Sequence, residues 1–367
     1  MVQSSDIMAW FSEDYAQARR RFLSACKTAG AKLRAYANPA RGPRAEELVT
    51  DVAWIGPDDA RFVLATVSAT HGVEGFCGSA AQTDWLTHGG PGRLPDGMAA
   101  LLIHAINPHG FAWLRRVNED GVDLNRNHID FSQPLPANPD YDELADALVP
   151  REIAGPVLEA ADAKLAAFRA KHGERAYRIA RTGGQYTHPK GHCYGGTKPT
   201  WSRLTTERII ADYALAGRDA VAVIDFHTGL GPFGYGEPIC DDAPDTTASN
   251  RARAWYGDSV TSPTLGTSSS APLTGHSRDT WARLLGERVV FTTLEFGTYS
   301  LERGLKALRG DYWLHGRSAV DWDAAETRRI KADIRKHFFP DTEDWKEMVL
   351  FRSRQILRQA QAGLVQP

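Results

Sequence analysis

The sequence predicts an α/β protein with three layers, α/β/α, around a mixed, mostly parallel central sheet. Five apolar runs have the length and composition of buried strands, at residues 48–55, 62–68, 100–106, 220–226 and 288–296. Helical patterns at residues 75–87 and 205–216 separate some of these runs, and this alternation favours parallel strands joined by crossover helices. The composition, 42% hydrophobic and 24% charged over 367 residues, is typical of a globular protein.

Helices are also predicted outside these runs, where apolar residues recur every three to four positions. One covers residues 6–28 and is stopped by Gly30, and another covers residues 152–172. Helices fill most of the chain after the last strand, including a segment at 324–361. No shift in composition marks a boundary, so we predict one domain over residues 1–367 with the terminal helices packed on it.

Two long segments carry no strand or helix pattern. Residues 183–196 are dense in glycine, aromatic residues and histidine, and residues 259–277 are rich in serine, threonine, proline and glycine. Long loops in compact domains are usually functional or disordered, and the aromatic residues favour a functional role for the first. His188 and His192 in that loop could line a cleft or be ordinary surface groups. The second segment is predicted to be a flexible flap.

Charge and cysteine content argue against several classes of protein. Lys plus Arg is 43 and Asp plus Glu is 45, and the net charge of −2 offers no electrostatic basis for binding nucleic acid or an anionic membrane. The four cysteines are scattered, which favours reduced thiols in a cytoplasmic protein over a disulfide framework. No signal peptide is visible, and no apolar run approaches the roughly 20 residues of a membrane span.

Two histidines and a glutamate lie just after predicted strands. His71 and Glu74 follow the run at 62–68, and His227 follows the run at 220–226. Imidazole and carboxylate groups are zinc ligands, and three protein ligands leave a fourth position open, as in catalytic zinc sites. His-x-x-Glu alone is a common spacing, and a surface pair would be the default interpretation. The third ligand shifts the balance toward one Zn²⁺ per chain.

Two further carboxylates stand at strand ends. Asp225 points to the same side of its strand as His227, so it could orient that imidazole or be an ordinary strand-end carboxylate. Glu295 ends an apolar strand between Leu294 and Phe296. Burial there would raise the pKa of Glu295 toward the value that suits a general base. The alternative is a salt-bridged glutamate.

Three arginines, Arg115, Arg116 and Arg126, occupy the turn-rich segment 107–127. An arginine can stabilise a developing oxyanion or clamp a substrate carboxylate with two hydrogen bonds. The alternative is a solvated loop with weak ion pairs to its own carboxylates. These carboxylates are Glu119, Asp120 and Asp123.

Taken together, these motifs resemble the zinc carboxypeptidase clan, the carboxypeptidase A-like metallopeptidases. The matching motifs are His-x-x-Glu at 71–74, Asn-Pro-x-Gly at 107–110, Arg-x-Asn-x-x-Gly-Val-Asp-Leu-Asn-Arg-Asn at 116–127, Asp-x-His at 225–227 and Glu295. They occur in the clan's order over about residues 48–300, and the run at 121–127 is the most diagnostic. The segments at 185–191 and 194–196 resemble a bacterial branch of the clan known mainly as an uncharacterised-domain family.

The resemblance implies a zinc carboxypeptidase-like (phosphorylase/hydrolase-like) fold whose single domain is catalytic. It implies that His71, Glu74 and His227 bind the zinc ion. It also implies that Glu295 deprotonates the attacking water and passes the proton to the leaving amine, and that Arg116 stabilises the oxyanion. By the same resemblance, Asn125 and Arg126 would hold the terminal carboxylate of the substrate.

One departure from the family bears on the substrate. Digestive carboxypeptidases carry a mobile tyrosine shortly before the catalytic glutamate, and here that region, 267–275, contains no tyrosine. The substrate carboxylate is then held differently, or the substrate is not a C-terminal peptide. The sequence therefore predicts a carboxypeptidase-like zinc hydrolase of peptide or amide bonds. The alternatives are an N-acyl amino acid deacylase (aspartoacylase/desuccinylase-like) on the same scaffold and a non-catalytic binding protein.

Overall fold

A seven-stranded sheet forms the centre of the computed structural model, which describes residues 8–317 and 319–366. The strands are β1 (Lys32–Arg41), β2 (Glu47–Ile55), β3 (Phe62–Val67), β4 (Met98–His104), β5 (Ala220–Phe233), β6 (Gly236–Ile239) and β7 (Val289–Gly297). The α-helices of the described residues are α1 (Tyr15–Thr28), α2 (Gly75–Thr87), α3 (Pro108–Ala112), α4 (Pro139–Leu148), α5 (Gly155–Thr182), α6 (Trp201–Asp212), α7 (Thr247–Tyr256), α8 (Ser277–Leu285), α9 (Leu301–His315), α10 (Ala325–Phe338) and α11 (Glu343–Leu364).

The sheet is mixed, with a parallel centre. Its order is β1-β2-β4-β3-β5-β7-β6. Strands β4, β3, β5 and β7 run parallel, whereas β2 is antiparallel to both of its neighbours and β6 is antiparallel to β7. Five strands therefore run in one direction and two in the other, which confirms the predicted mixed, mostly parallel sheet.

Helices cover both faces of this sheet, because the central strands are apolar on both sides. On β5, Ile224 and Phe226 face a layer built from α1, α2, α7 and α11, while Val221 and Val223 face a layer that contains α6 and α8. The three-layer α/β/α architecture is thus confirmed. Among the described residues, no helix is long and apolar enough to cross a membrane.

The N-terminal helix is shorter than the predicted 6–28. It begins at Tyr15, and the Asp14 side chain accepts a hydrogen bond from the Gln17 amide at 2.7 Å. Aspartate stabilises a helix more as an N-cap than in its interior, and this local preference overrides the longer apolar stripe. Residues 6 and 7 of the predicted helix lie outside the described residues.

Other boundaries also differ from the sequence prediction. Strand β1 was not predicted, because most of its positions are exposed on this antiparallel edge and it lacks the continuous apolar run of a buried strand. Helix α5 runs past the predicted 152–172 to Thr182, with a kink at Gly173, whose φ of 84° is a backbone conformation that favours glycine. The predicted segment 324–361 is two helices, α10 and α11, separated at Pro340. That the whole chain forms one catalytic domain stays a prediction.

The parallel strands bring the predicted site residues to one edge of the sheet. His71 follows β3, while His227 on β5 and Glu295 on β7 are directly paired in the strand register. Ligand sites of such sheets lie outside the carboxyl ends of the strands. This edge is therefore where a site is expected.

Candidate metal centre

His71, Glu74 and His227 form a compact buried cluster. The His71 Nδ1 atom lies 3.0 Å from Glu74 Oε1, and the His227 Nδ1 atom lies 3.1 Å from both Glu74 Oε2 and His71 Nδ1. The three residues are 5%, 1% and 2% exposed, and one ligand atom from each lies within 4.8 Å of the others. The structure therefore brings together the three residues that the sequence proposed as metal ligands.

Close backbone packing holds the turn that carries His71 and Glu74. Gly72 begins a short 3₁₀ helix (Gly72–Glu74), and its amide donates to the Arg116 carbonyl at 3.2 Å. A Cβ atom on Gly72 would lie 2.0 Å from the carbonyl carbon of Gly110, so only glycine fits. The turn is therefore fixed against the segment that supplies Arg116.

The outer nitrogens of both histidines face carboxylates. His71 Nε2 lies 3.1 Å from Asp123 Oδ1, and His227 Nε2 lies 2.9 Å from Asp225 Oδ2. A proton on each Nε2 would leave each Nδ1 lone pair directed into the cluster, and metal-binding histidines usually have such partners. Two inward imidazole nitrogens and a carboxylate are a donor set that zinc prefers, so the cluster could bind Zn²⁺.

These contacts bear on two aspartates. For Asp225, the sequence left open whether it orients an imidazole, and its position beside His227 Nε2 favours that role. Asp123 was considered only as an ion-pair partner of the loop arginines, so its contact with His71 was missed. Its place within the Gly-Val-Asp-Leu-Asn-Arg-Asn motif was the available signal.

Opposite charges dominate the electrostatics of the cluster. Burial alone would raise the pKa of Glu74, but His71 and His227 outweigh burial and hold that pKa well below its usual range. Burial would likewise lower the pKa of His227, but Asp225 and Glu74 raise it. For Asp123, Arg116 and His71 outweigh burial and keep the pKa of the carboxyl well below its usual range. The carboxylates are therefore ionised and can balance a cation.

Glu295 lies beside the cluster in a buried position. Its Oε1 atom accepts a hydrogen bond from the Leu230 amide at 3.0 Å, which leaves Oε2 available. Burial, followed by the charge of Glu74, raises the pKa of Glu295 to about 8. Among the described residues, no Lys or Arg forms an ion pair with it. The geometry favours a desolvated carboxylate over the salt-bridged alternative.

Arg115 and Arg116 point to different parts of the protein. Arg116 lines the cluster, where its Nε donates to Asp123 Oδ2 at 3.0 Å and its Nη1 donates to Glu74 Oε1 at 3.1 Å. Arg115 is directed away and donates to Asp311 Oδ2 at 3.0 Å. Of the two neighbours, only Arg116 is within reach of a group held at the cluster.

Asn125 and Arg126 are largely engaged by the protein itself. The Asn125 Oδ1 atom accepts from the Ser277 amide at 3.0 Å. The Arg126 guanidinium donates to the Asn125 carbonyl at 2.6 Å and, through Nε, to the Thr182 carbonyl at 3.1 Å. Both residues border the cavity, and their predicted role in holding a carboxylate stays a prediction.

All seven predicted site residues line one cavity of about 160 Å³. They are His71, Glu74, Arg116, Asn125, Arg126, His227 and Glu295. The predicted flap borders the same cavity through Ser269 and Ser270, and its flexibility stays a prediction. Of the two loop histidines, His192 lines the cavity, whereas His188 lies near the surface beside Asp142.

Tyr312 on α9 also lines the cavity, and no sequence pattern indicated it. Its hydroxyl is buried and has no hydrogen-bond partner among the described residues, and its ring lies 4.5 Å from that of His192, centroid to centroid. Burial raises the pKa of Tyr312 well above its usual value, so the hydroxyl keeps its proton. Burial, assisted by Arg181, lowers the pKa of His192 to about 3, so this imidazole is neutral. Both groups are free to hydrogen-bond a ligand.

The fold and the cluster define a three-layer α/β protein with a His–Glu–His site that could bind a divalent metal. The chain belongs to the family described as "Protein of unknown function (DUF2817)", whose model matches residues 11–352. A search of curated proteins finds no significant match.

Solved structures provide further comparisons. Carboxypeptidase A from Helicoverpa armigera is 13% identical, with 95% of this chain and 74% of that chain covered, at a TM-score of 0.46. Bovine thrombin-activatable fibrinolysis inhibitor is 12% identical, with 93% and 98% covered, at a TM-score of 0.45. An aspartoacylase family protein from Mesorhizobium loti is 16% identical, with 73% and 61% covered, at a TM-score of 0.35. The functional argument below stands on the site alone.

Proposed function

We propose that this protein is a zinc-dependent hydrolase that cleaves a peptide or amide bond in the manner of a carboxypeptidase. One observation carries the proposal: the buried His71–Glu74–His227 cluster lies beside Glu295, a buried carboxylate that has no Lys or Arg partner in the part of the chain that the structure describes. A metal site and a desolvated base are the two components that water-driven amide hydrolysis requires.

The protein's own residues supply the remaining chemistry. When bound, zinc would supply Lewis acidity, which polarises a carbonyl and makes water easier to deprotonate. Glu295 would accept the proton of the attacking water at Oε2, since Oε1 is held by the Leu230 amide. The same carboxyl group would then donate this proton to the leaving amine. Glu295 would thus act first as a base and then as an acid.

Arg116 would stabilise the negative charge that develops on the carbonyl oxygen. Its guanidinium is already fixed by Asp123 and Glu74, so little reorganisation is needed when the charge forms. Asn125 and Arg126 would border the leaving group, and Asp123 and Asp225 would keep the two imidazole rings in their orientation.

Two features of the cavity bear on the substrate. The space at the cluster, about 160 Å³, is small for a ligand pocket and favours an N-acyl amino acid, so deacylation is the second candidate function. Arg181, Leu301 and Leu305, however, also line an adjoining groove of about 970 Å³ between α5 and α9. This groove could hold the rest of a peptide and supports the carboxypeptidase-like activity.

A substrate panel with a matched variant tests the proposal. Purified protein should bind one equivalent of zinc and hydrolyse either blocked dipeptides or N-acylated amino acids. The two substrate types separate peptidase from deacylase. Glu295→Gln should retain the zinc but lose turnover. Hydrolysis by this variant at the wild-type rate would contradict the assigned base, and protein that binds no metal would favour a non-catalytic binding role.

A further inference from the structure

Two arginines of α5 face the cavity without a carboxylate partner. Arg178 and Arg181 are three residues apart, on one face of the helix, and both line the cavity that contains the metal cluster. The Nε atom of Arg178 is buried and has no hydrogen-bond partner in residues 8–317 or 319–366. The guanidinium of Arg181 lies 5.5 Å from the Tyr177 ring. Within the described part of the chain, neither arginine forms an ion pair.

This arrangement is not the rule for the neighbouring arginines. On the same helix, Arg169 pairs with Glu174, and on α9 Arg309 pairs with Asp162 of α5 at 2.5 Å. Partly desolvating a guanidinium without a partner costs free energy, so two such groups beside one cavity need a reason. A negatively charged ligand would supply the missing partner.

Arg126 has a different position in this part of the site. Its guanidinium donates hydrogen bonds to the Thr182 carbonyl, at the end of α5, and to the Asn125 carbonyl. These bonds hold the end of the helix that presents Arg178 and Arg181. The Arg126 guanidinium is therefore engaged with backbone carbonyls, whereas the guanidinium groups of Arg178 and Arg181 form no hydrogen bond within the described residues.

We propose that Arg178 and Arg181 bind a carboxylate of the substrate, which makes acidic compounds the substrate class of this site. The inference rests on the proposed hydrolase function and deepens it. Two guanidinium groups on one helix face can grip a carboxylate with charge-assisted hydrogen bonds. The carboxylate is either the α-carboxylate of the amino acid that is released or the side chain of an aspartate or glutamate.

Two substrate pairs distinguish these sources. N-acetyl-leucine and its amide differ only in the α-carboxylate, and N-acetyl-glutamate and N-acetyl-glutamine differ only in the side-chain charge. The same compounds joined to a further residue on the acyl side serve for peptidase activity. If the α-carboxylate is recognised, the wild-type enzyme should prefer N-acetyl-leucine to its amide. If a side-chain carboxylate is recognised, it should prefer N-acetyl-glutamate to N-acetyl-glutamine. In either case the preference should be at least about tenfold in kcat/KM.

The variant is the double substitution Arg178→Gln and Arg181→Gln, with Arg175→Gln as the matched control. Arg175 lies on the same helix, is exposed and does not line the cavity. The double variant should lose at least about tenfold in kcat/KM on the preferred acid, through a raised KM, and little on the uncharged compound. The control should keep wild-type values. Circular dichroism verifies that all variants are folded.

These measurements test the arginine site separately from the proposed hydrolase activity. If the wild-type enzyme hydrolyses charged and uncharged members alike, or if the double variant keeps the preference, the arginine site is refuted and the hydrolase stands. If no substrate is turned over, calorimetric binding of the same acids to the wild type, the double variant and the control decides. Weaker binding by the double variant alone then supports the arginine site and refutes the hydrolase, and equal binding by all three proteins refutes both.

Discussion

Replacing Asp123 by asparagine should weaken zinc binding, although Asp123 is not one of the predicted ligands. The Asp123 carboxylate has three hydrogen-bonding neighbours. Its Oδ1 atom lies 3.1 Å from His71 Nε2 and accepts from the Asn125 amide at 3.0 Å, while Oδ2 accepts from Arg116 Nε at 3.0 Å. Asparagine has one acceptor oxygen and one NH₂ group, which can only donate. In one orientation the NH₂ group faces His71 Nε2 and the Asn125 amide, and in the other it faces Arg116 Nε, so in both cases two donors face each other.

The size of the effect follows from which contact is lost. If the NH₂ group faces His71, the ring loses the partner that fixes its orientation, and such losses typically cost about 10- to 100-fold in metal affinity. That range corresponds to about 1.4–2.8 kcal/mol. If the NH₂ group faces Arg116 instead, affinity changes less, but the guanidinium turns away from Glu74 and kcat falls. The variant should therefore show a loss of affinity, of kcat, or of both.

A competition titration with a chromophoric zinc chelator measures the affinity, and kcat is measured on zinc-saturated protein. Asp120→Asn is the control, because Asp120 is an exposed carboxylate of the same loop and its replacement removes the same charge. Asp123→Asn protein with zinc affinity and kcat within about twofold of the Asp120→Asn control would refute the orienting role of Asp123.

Three further predictions test the base, the two adjacent arginines and one buried histidine, His104. Glu295→Gln should keep zinc, measured by metal analysis, yet lower kcat by at least about 100-fold, since the proton acceptor is gone. Arg116→Gln should lower kcat by about 100- to 1,000-fold, whereas Arg115→Gln, whose guanidinium points away from the cluster, should leave kcat unchanged. In urea denaturation each variant should lose about 1–3 kcal/mol, because each removes one partner of a buried carboxylate that keeps another, His71 for Asp123 and Lys331 for Asp311. Burial lowers the pKa of His104 to about 3, so the unfolded chain binds this proton first as the pH falls below about 6.5. The wild-type unfolding free energy should therefore fall between pH 6.5 and 5 more steeply than that of His104→Gln, by up to about 1.4 kcal/mol per pH unit.

The residues at the cluster were predictable because strand order controls their position. His71, His227 and Glu295 each follow or end an apolar run, and the carboxyl ends of parallel strands meet at one edge. Burial of Glu295 could be inferred from its apolar neighbours, and the structure raises its pKa as expected. For these residues, local sequence and the general rules for parallel sheets carry enough information.

The remaining site residues depend on tertiary packing that no local pattern reveals. Tyr312 and Arg181 reach the cavity because α9 and α5 pack beside it, and in sequence each resembles any other residue of an amphipathic helix. Asp123 could be an ion-pair partner of Arg116 or an orienting group for His71, and in the structure one carboxylate contacts both. Strand β1 was not predicted for a related reason, since pairing with β2 stabilises a segment that is mostly exposed.

The contact between Gly72 and Gly110 ties two distant parts of the sequence into one rigid piece. Any side chain at position 72 would push the two backbones apart, moving His71 and Glu74 away from Arg116 together with its carbonyl. Transfer of this site to another scaffold would therefore require both the segment that contains Gly72 and the segment that contains Gly110. Exchanging either one alone would separate His71 and Glu74, two of the proposed metal ligands, from Arg116, the residue proposed to stabilise the oxyanion.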